Sequence, residues 1–223
     1  MSTCLSNRLS NGFRSLALVA SLALSACTAF AANYDSVDFF RAINVDNADA
    51  VSRMLVAGLD PNQLDTNGQP ALLVALQGES TKAAKVLMDA KGIDIDVRNH
   101  AGETPLMMAA LKGEADLATA LVAHGAAVQK DGWTPLHYAA TGGNADIVKL
   151  LLSKGAKMEA RSPNGSTPLM MAARYANEGA VDALLAAGAD RTAKNDLGMD
   201  AAAFAASAGR DRLAARLKAG AAK

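Results

Sequence analysis

The stretch Gly132-Trp133-Thr134-Pro135-Leu136-His137-Tyr138-Ala139-Ala140 decides the fold of this chain. Gly132 follows an aspartate in a tight turn, and the hydroxyl of Thr134 can cap a helix by accepting a backbone N–H bond. Pro135 occupies the first helical position, where its missing N–H costs nothing. The two alanines keep the helix thin enough for another helix to lie beside it. The stretch predicts a turn followed by a short, closely packed helix.

A second helix is predicted directly downstream, because Gly143 interrupts the chain and an apolar stripe follows. The stripe consists of Ile147, Val148, Leu151 and Leu152, spaced as on the buried face of a helix. Gly155 is positioned to end this helix in a left-handed conformation. The segment therefore reads as two helices joined by a short break.

The same unit recurs along the chain. One series of glycines has intervals of 34, 30, 33 and 33 residues, and comprises Gly68, Gly102, Gly132, Gly165 and Gly198. A second series comprises Gly58, Gly92, Gly125, Gly155 and Gly188. A period near 33 residues indicates a stacked array of one structural unit. Such an array offers a long surface and rarely a catalytic pocket.

Further copies of the motif identify the kind of repeat. Thr104-Pro105-Leu106-Met107-Met108-Ala109-Ala110 and Thr167-Pro168-Leu169-Met170-Met171-Ala172-Ala173 repeat it with methionine in place of histidine. Gln69-Pro70-Ala71-Leu72 and Asp200-Ala201-Ala202-Ala203 are weaker copies. Together these stretches resemble the ankyrin repeat over roughly residues 34–223.

The resemblance implies an all-α solenoid of helix-turn-helix units joined by short β-hairpin or turn fingers. We expect about six units, including a cap at each end, at 34–64, 65–98, 99–128, 129–161, 162–194 and 195–222. In four connections a glycine of the second series lies ten positions before the next glycine of the first, whereas Gly125 and Gly132 are seven positions apart. The finger between the third and fourth units is therefore predicted to be blunt.

Residues 1–31 read as a secretory signal peptide. Arg8 and Arg14 form a positive segment, an apolar run covers residues 15–26, and Ala29-Phe30-Ala31 is a cleavage site of small residues. The apolar run is too short for a membrane-spanning helix. The composition looks bacterial, so we expect export to the periplasm. We expect no transmembrane segment.

A lipid anchor is the alternative outcome of export. Leu24-Ser25-Ala26-Cys27 resembles a bacterial lipobox, in which Cys27 would be lipidated. We favour soluble export, because few residues separate Cys27 from the first helix. Cleavage after Ala31 would remove both cysteines, Cys4 and Cys27, and with them thiol catalysis and disulfides.

The remaining chain carries 20 basic and 22 acidic side chains, a net charge of −2. Without a basic surface, nucleic acid is not expected as a ligand. We expect no enzymatic activity, because phosphate loops, nucleophile elbows and zinc-protease motifs are missing from the sequence. We expect a monomer without cofactors.

The histidines and methionines are interpreted as structural. His137 belongs to the motif, His124 lies at a helix end, and His100 is expected at a finger tip. Met107, His137 and Met170 hold equivalent positions and could suggest copper. Packed helices lie about 8–10 Å apart, which is too far for three ligands to converge on one ion, so we expect core packing and no metal.

The resemblance implies a protein-binding module, whose partners lie on finger tips and on the exposed side of the first helices. Carried onto this chain, the binding positions are His100, Glu103, Leu111, Lys112, Trp133, Thr141, Asn164, Ser166, Arg174, Tyr175 and Met199. Trp133 and the pair Arg174-Tyr175 are the strongest candidates, because these residue types often anchor interfaces. Packing of Trp133 on its neighbouring finger is the alternative.

Two narrower functions stay open at this point. One is an immunity or inhibitor protein acting on a periplasmic toxin or enzyme, which a neighbouring toxin gene would indicate. The other is a chaperone-like accessory factor for an exported enzyme, such as one that acts under oxidative stress. The sequence names no partner.

Overall fold

The computed structural model describes residues 34–176 and 178–219. The predicted signal peptide, the cleavage site after Ala31 and both cysteines lie outside these residues. The described part forms six successive pairs of helices: α1 (Ser36–Asn44) and α2 (Ala48–Val56), α3 (Ala71–Gln77) and α4 (Thr81–Met88), α5 (Pro105–Lys112) and α6 (Ala115–Ala123), α7 (Pro135–Gly142) and α8 (Ala145–Ser153), α9 (Pro168–Tyr175) and α10 (Glu178–Ala186), α11 (Ala201–Ser207) and α12 (Asp211–Ala219). The predicted all-α solenoid is confirmed.

The odd-numbered helices begin at the capping residues that the sequence predicted. Thr104, Thr134 and Thr167 each have extended backbone, and each side chain accepts a hydrogen bond from the backbone N–H three residues on. Such a bond satisfies one of the free donors of a helix start. Pro70 differs, because it is itself the N-cap residue of α3 and supplies no capping bond. The weaker motif copy thus has a weaker helix start.

The odd-numbered helices pack side by side and form the inner layer of the array. Their contact residues are small, and Ala109, Ala139 and Ala172 are completely buried. At Gly142 the approach is closest, since a Cβ atom there would lie only 2.4 Å from the carbonyl oxygen of Leu111. Short helices with small side chains let the inner layer pack closely. Because close packing on one side curves a stacked array toward that side, we call the exposed side of the inner layer the concave surface.

The even-numbered helices form the outer layer and close the core from the other side. Leu121, Ile147, Leu151 and Leu184 are fully buried between the two layers. One hydrophobic cluster runs from Phe39 to Leu217 through all six helix pairs. Each unit therefore buries its apolar face against its neighbours, as expected of a stacked array.

Five fingers connect the helix pairs, at residues 57–70, 89–104, 124–134, 154–167 and 187–200. They are turns rather than hairpins, and within the described residues one isolated β-bridge, between Leu64 and Pro70, is the extent of strand pairing. The glycines of both series have positive φ angles, a conformation in which glycine meets no steric penalty.

A ladder of hydrogen bonds links each finger to the next. Side-chain oxygens of Asn62, Asp96, Gln129 and Glu159 accept the backbone N–H groups of Asp94, Ala127, Lys157 and Asp190 at 2.8–3.0 Å. The full-length fingers have six residues from the ladder residue to the following glycine, whereas the third has three, from Gln129 to Gly132. The third finger thus keeps its hydrogen bond to the next finger but lacks the three residues that form the turn in the other fingers.

The missing turn leaves a gap in the row of fingers. In the full-length fingers a turn residue such as Asp65, Asn99 or Asn195 accepts two backbone N–H bonds from the tip. A Cβ atom placed at Gly68 or Gly165 would clash with the next finger, but one at Gly102 would meet nothing within 4 Å. The second finger therefore has no neighbour against its tip, as the glycine spacing predicted.

Candidate protein-binding surface

The concave surface presents two rows of side chains from the inner helices. The row nearest the core is half-buried and apolar or aromatic, with Val74, Met108, Tyr138 and Met171 at equivalent positions. The adjacent row carries Gln77, Leu111, Thr141, Arg174 and Ser207. A surface of this composition, apolar at its floor and polar at its edge, is suited to protein contacts.

Trp133 lies at the foot of the short third finger and is half-buried. Its ring meets the ring of His137 edge-on, with centroids 5.4 Å apart. Thr141, also half-buried, donates its hydroxyl hydrogen to the carbonyl of His137 at 2.9 Å. Trp133 thus contacts the side chain of His137, whereas Thr141 contacts only its backbone.

The buried His137 is held on both ring nitrogens. Nδ1 lies 3.2 Å from the backbone nitrogen of Thr134 and accepts its hydrogen bond, so Nε2 carries the proton and donates to the carbonyl of Ser166 at 3.0 Å. Burial lowers the pKa of His137, opposed by its bonds to backbone carbonyls. The neutral side chain is therefore the stable form in the folded protein.

Glu103 connects the second finger to the inner surface. One carboxylate oxygen accepts the hydroxyl of Tyr138 at 2.8 Å, and the other accepts the amide of Asn99 at 2.8 Å. Burial and then the bond to Glu103 raise the pKa of Tyr138 far above its ordinary value. Glu103 is half-buried and thus acts first as a support for Tyr138.

His100 and Lys112 are exposed, but each already contacts the preceding unit. Nε2 of His100 lies 3.3 Å from the carbonyl oxygen of Asn67. Lys112 donates to the carbonyl of Gln77 at 2.8 Å and pairs with Glu79 at 3.4 Å. Leu111, by contrast, is exposed, and its apolar side chain forms no hydrogen bond or ion pair with another unit. Of these three, Leu111 is the most available for a partner.

The fifth unit offers the most exposed aromatic residue of the inner surface. Tyr175 is 57% exposed, and the guanidinium carbon of Arg174 lies 5.3 Å from its ring centre. Arg174 also donates to the hydroxyl of Ser207 at 3.3 Å. Both residues remain available, since these contacts lie at the surface.

Ser166 is a predicted contact residue that the structure places in the interior. It was expected at the surface of the fourth finger, yet it is 0% exposed. Its backbone N–H bonds to Ser162 and its carbonyl accepts from His137. Asn164, two residues earlier, is exposed at the tip as expected. Met199 in the fifth finger is half-buried and packs against the core.

The sequence interpretation missed Met108, Tyr138 and Met171 as surface residues. Each directly follows the buried motif position of Met107, His137 or Met170, and the motif alone suggests that both residues belong to the core. The sequence signal was their shared offset of six residues from the finger glycines, which places them on one face of the inner layer.

The described residues also bear on the histidines and methionines that could suggest a metal site. No group of three or more His, Cys, Asp or Glu side chains among them could hold a metal ion. The sulfur atoms of Met107 and Met170 face the backbone nitrogens of Thr104 and Thr167 at 3.5 and 3.4 Å. None of the helices described is long and apolar enough to cross a membrane.

Each unit is a short pair of helices linked by a turn, and each pair stacks in register on the next pair. The protein is therefore, by class, a helical repeat array. The model of the family described as ankyrin repeats matches residues 39–130, 80–162 and 125–195, as three copies. The chain therefore belongs to the ankyrin-repeat family, whose members are typically non-catalytic interaction modules.

Curated relatives share the repeats with this chain. Neurogenic locus notch homolog protein 4 of Homo sapiens is 37% identical over 74 residues, which are 33% of this chain and 4% of that protein. Intracellular phospholipase A2 of Caenorhabditis elegans is 36% identical over 97 residues, 41% of this chain and 9% of that protein. Neurogenic locus notch homolog protein 1 of Mus musculus is 33% identical over 69 residues, 31% and 3% respectively. The chain thus spans less than a tenth of each of these relatives.

Proposed function

We propose that this chain is a non-catalytic protein-binding module that acts in the bacterial periplasm. The binding role is supported above all by the concave surface, where exposed Leu111, Arg174 and Tyr175 border the half-buried row of Met108, Tyr138 and Met171. The periplasmic location is supported by the N-terminal sequence, with its positive segment, apolar run and Ala-x-Ala site.

The partner is proposed to bind across the third to fifth units. Trp133 and Tyr175 are the anchors of this surface, because large rigid side chains give much contact area at a small entropy cost. Leu111 and the aliphatic part of Arg174 border the same surface. Ser166 is removed from the set because it is buried, and Met108, Tyr138 and Met171 are added.

Affinity capture from periplasmic extract, with the described domain as bait, would identify the partner. Trp133→Ala and Tyr175→Ala would then be compared with Val56→Ala, which truncates an 86% exposed side chain on the outer layer. As anchors, the first two should each weaken binding by about 2 kcal/mol or more without lowering the melting temperature much. Unchanged affinity in both variants would place the partner elsewhere.

Export is tested separately by fusing residues 1–36 to a reporter that is active only outside the cytoplasm. We expect secretion of the fusion. Cys27→Ser then distinguishes the two processing routes, because it blocks lipidation and leaves the Ala-x-Ala site intact. Continued processing supports soluble export, and loss of processing and of membrane association supports the lipoprotein.

A further inference from the structure

A groove of about 470 Å³ lies at the N-terminal end of the concave surface. Helix α1 forms one side of it and the first finger forms the other. Val37, Val45 and Leu64 line the groove and are 54%, 68% and 56% exposed. Phe40 and Val74 also line it, with Phe40 buried. We call this set of five side chains the N-terminal groove.

The apolar exposure at this site is concentrated. Seven large hydrophobic side chains are exposed among the described residues, and three of them border the N-terminal groove. Single exposed valines are common on protein surfaces. Several around one concave feature mark an interaction site.

The charges around the groove are predominantly negative. Asp65 lines the groove, and Asp35 and Asp38 lie at the N-terminal end of α1. Arg41 also lines the groove and is paired with Asp38 at 2.7 Å. The wider chain is polarised in the same sense. Residues 34–128 carry thirteen acidic and seven basic side chains, a net charge of −6, whereas residues 129–223 carry nine acidic and thirteen basic side chains, a net charge of +4. An apolar groove in the acidic half favours a cationic ligand.

We propose that the N-terminal groove binds a cationic amphipathic segment of a partner protein. The apolar side chains of this segment lie on Val37, Val45 and Leu64, and the lysine or arginine side chains of the segment face the acidic half of the array. This surface is separate from the proposed one on units three to five, with which it shares no residue. It therefore adds a second contact of stated chemistry to the protein-binding function, and each can fail without the other.

The probe is a fluorescein-labelled amphipathic helix of leucine and lysine, compared with a matched peptide that has glutamate in place of lysine. Fluorescence anisotropy with the full chain should show binding of the lysine peptide and little binding of the glutamate peptide. Added salt should weaken the binding, because exposed charges are screened. Equal binding of both peptides would overturn the electrostatic part of the proposal.

Two sets of variants locate the site. Val45→Ser combined with Leu64→Ser should weaken the lysine peptide at least about tenfold. Leu197→Ser is the matched control, since Leu197 is 78% exposed at the far end of the array, and it should leave binding unchanged. If the groove variants bind as well as the original chain, the proposal is wrong.

The variant Asp65→Asn tests the negative charge at the groove without disturbing the turn of the first finger. Asp65 accepts the N–H groups of Asn67 and Gln69, and asparagine does the same work at Asn99 and Asn195. Asp65→Asn should therefore keep the melting temperature and weaken the lysine peptide about threefold. Sedimentation of the chain without peptide tests whether a second copy of the chain occupies the groove. A dimer that the groove variants dissociate would assign the groove to that second copy and overturn the proposal.

Discussion

The first helices of the fourth and fifth units begin with the same capping box but are tied to their neighbours differently. In both, the threonine accepts the third helical N–H at 3.4 Å, and the third side chain accepts the threonine N–H, through Nδ1 of His137 or Sδ of Met170. Histidine has a second ring nitrogen, which donates to Ser166 in the next unit. Methionine has no such group. The comparison shows that a cap can be kept while a bond between units is lost.

The largest effect is expected where the two units are alike. Leu151 and Leu184 occupy equivalent positions in the outer layer, and both are 0% exposed. Truncation of either to alanine should cost about 2–5 kcal/mol of unfolding free energy, through lost burial and a cavity. Urea denaturation measures both. A markedly smaller loss at Leu151 than at Leu184 would mean that the fourth unit's core, and not only its cap, differs from its neighbour.

His137→Met gives the fourth unit the cap of the fifth. The cap should survive, but the buried carbonyl of Ser166 loses its donor, so the expected cost is about 1–3 kcal/mol. Urea denaturation again provides the measurement. Met170→Leu is the matched control, since it removes a cap acceptor without breaking a bond between units. Equal losses in the two variants would show that the bond from His137 to Ser166 contributes nothing of its own.

The pH dependence of stability sharpens the same difference. Because burial lowers the pKa of His137 below its ordinary value of 6.5, the unfolded chain binds a proton more readily, and stability should fall as the pH drops below about 6.5. His137→Met should flatten this part of the profile. Melting temperatures across this pH range measure it. An unchanged acid slope in the variant would assign the loss to other groups.

His124 should contribute in the opposite direction. Its bond to the carbonyl of Ala120, and then its bond to Asp89, raise the pKa of His124. Its stabilisation is therefore present below the ordinary pKa and is lost as the pH rises through the folded value. The pair is exposed, so the effect is small. His124→Gln should lower the melting temperature at acidic pH and leave it unchanged at alkaline pH, and a loss of equal size at both would point to packing.

Repeat architecture was readable from the sequence because each unit specifies its own caps, turns and apolar stripe. Thr104, Thr134 and Thr167 cap the helices that they were predicted to cap. Properties set by the neighbouring unit were not readable. Ser166 is 0% exposed and its carbonyl is bonded by His137 of the unit before, and Tyr138 donates its hydroxyl to Glu103 of the unit before. A motif describes one unit, whereas the composition of the candidate surface depends on two.

The smallest change in stability is expected from rebuilding the short third finger. Inserting Val-Arg-Asn between Gln129 and Lys130 copies residues 97–99 of the second finger and restores the asparagine that accepts two tip N–H groups. The loop grows by less than a doubling, so the entropic cost should stay within about 0.6 kcal/mol.

The rebuilt tip should fill the open space beside Gly102 and reduce access to Trp133. Affinity for the captured partner should fall while the melting temperature stays nearly constant. A three-residue insertion between Asp196 and Leu197, at the tip of the fifth finger and away from both Trp133 and the N-terminal groove, is the control, which should leave that affinity unchanged. If both insertions leave it unchanged, the gap in the finger row is not the route by which the partner reaches Trp133.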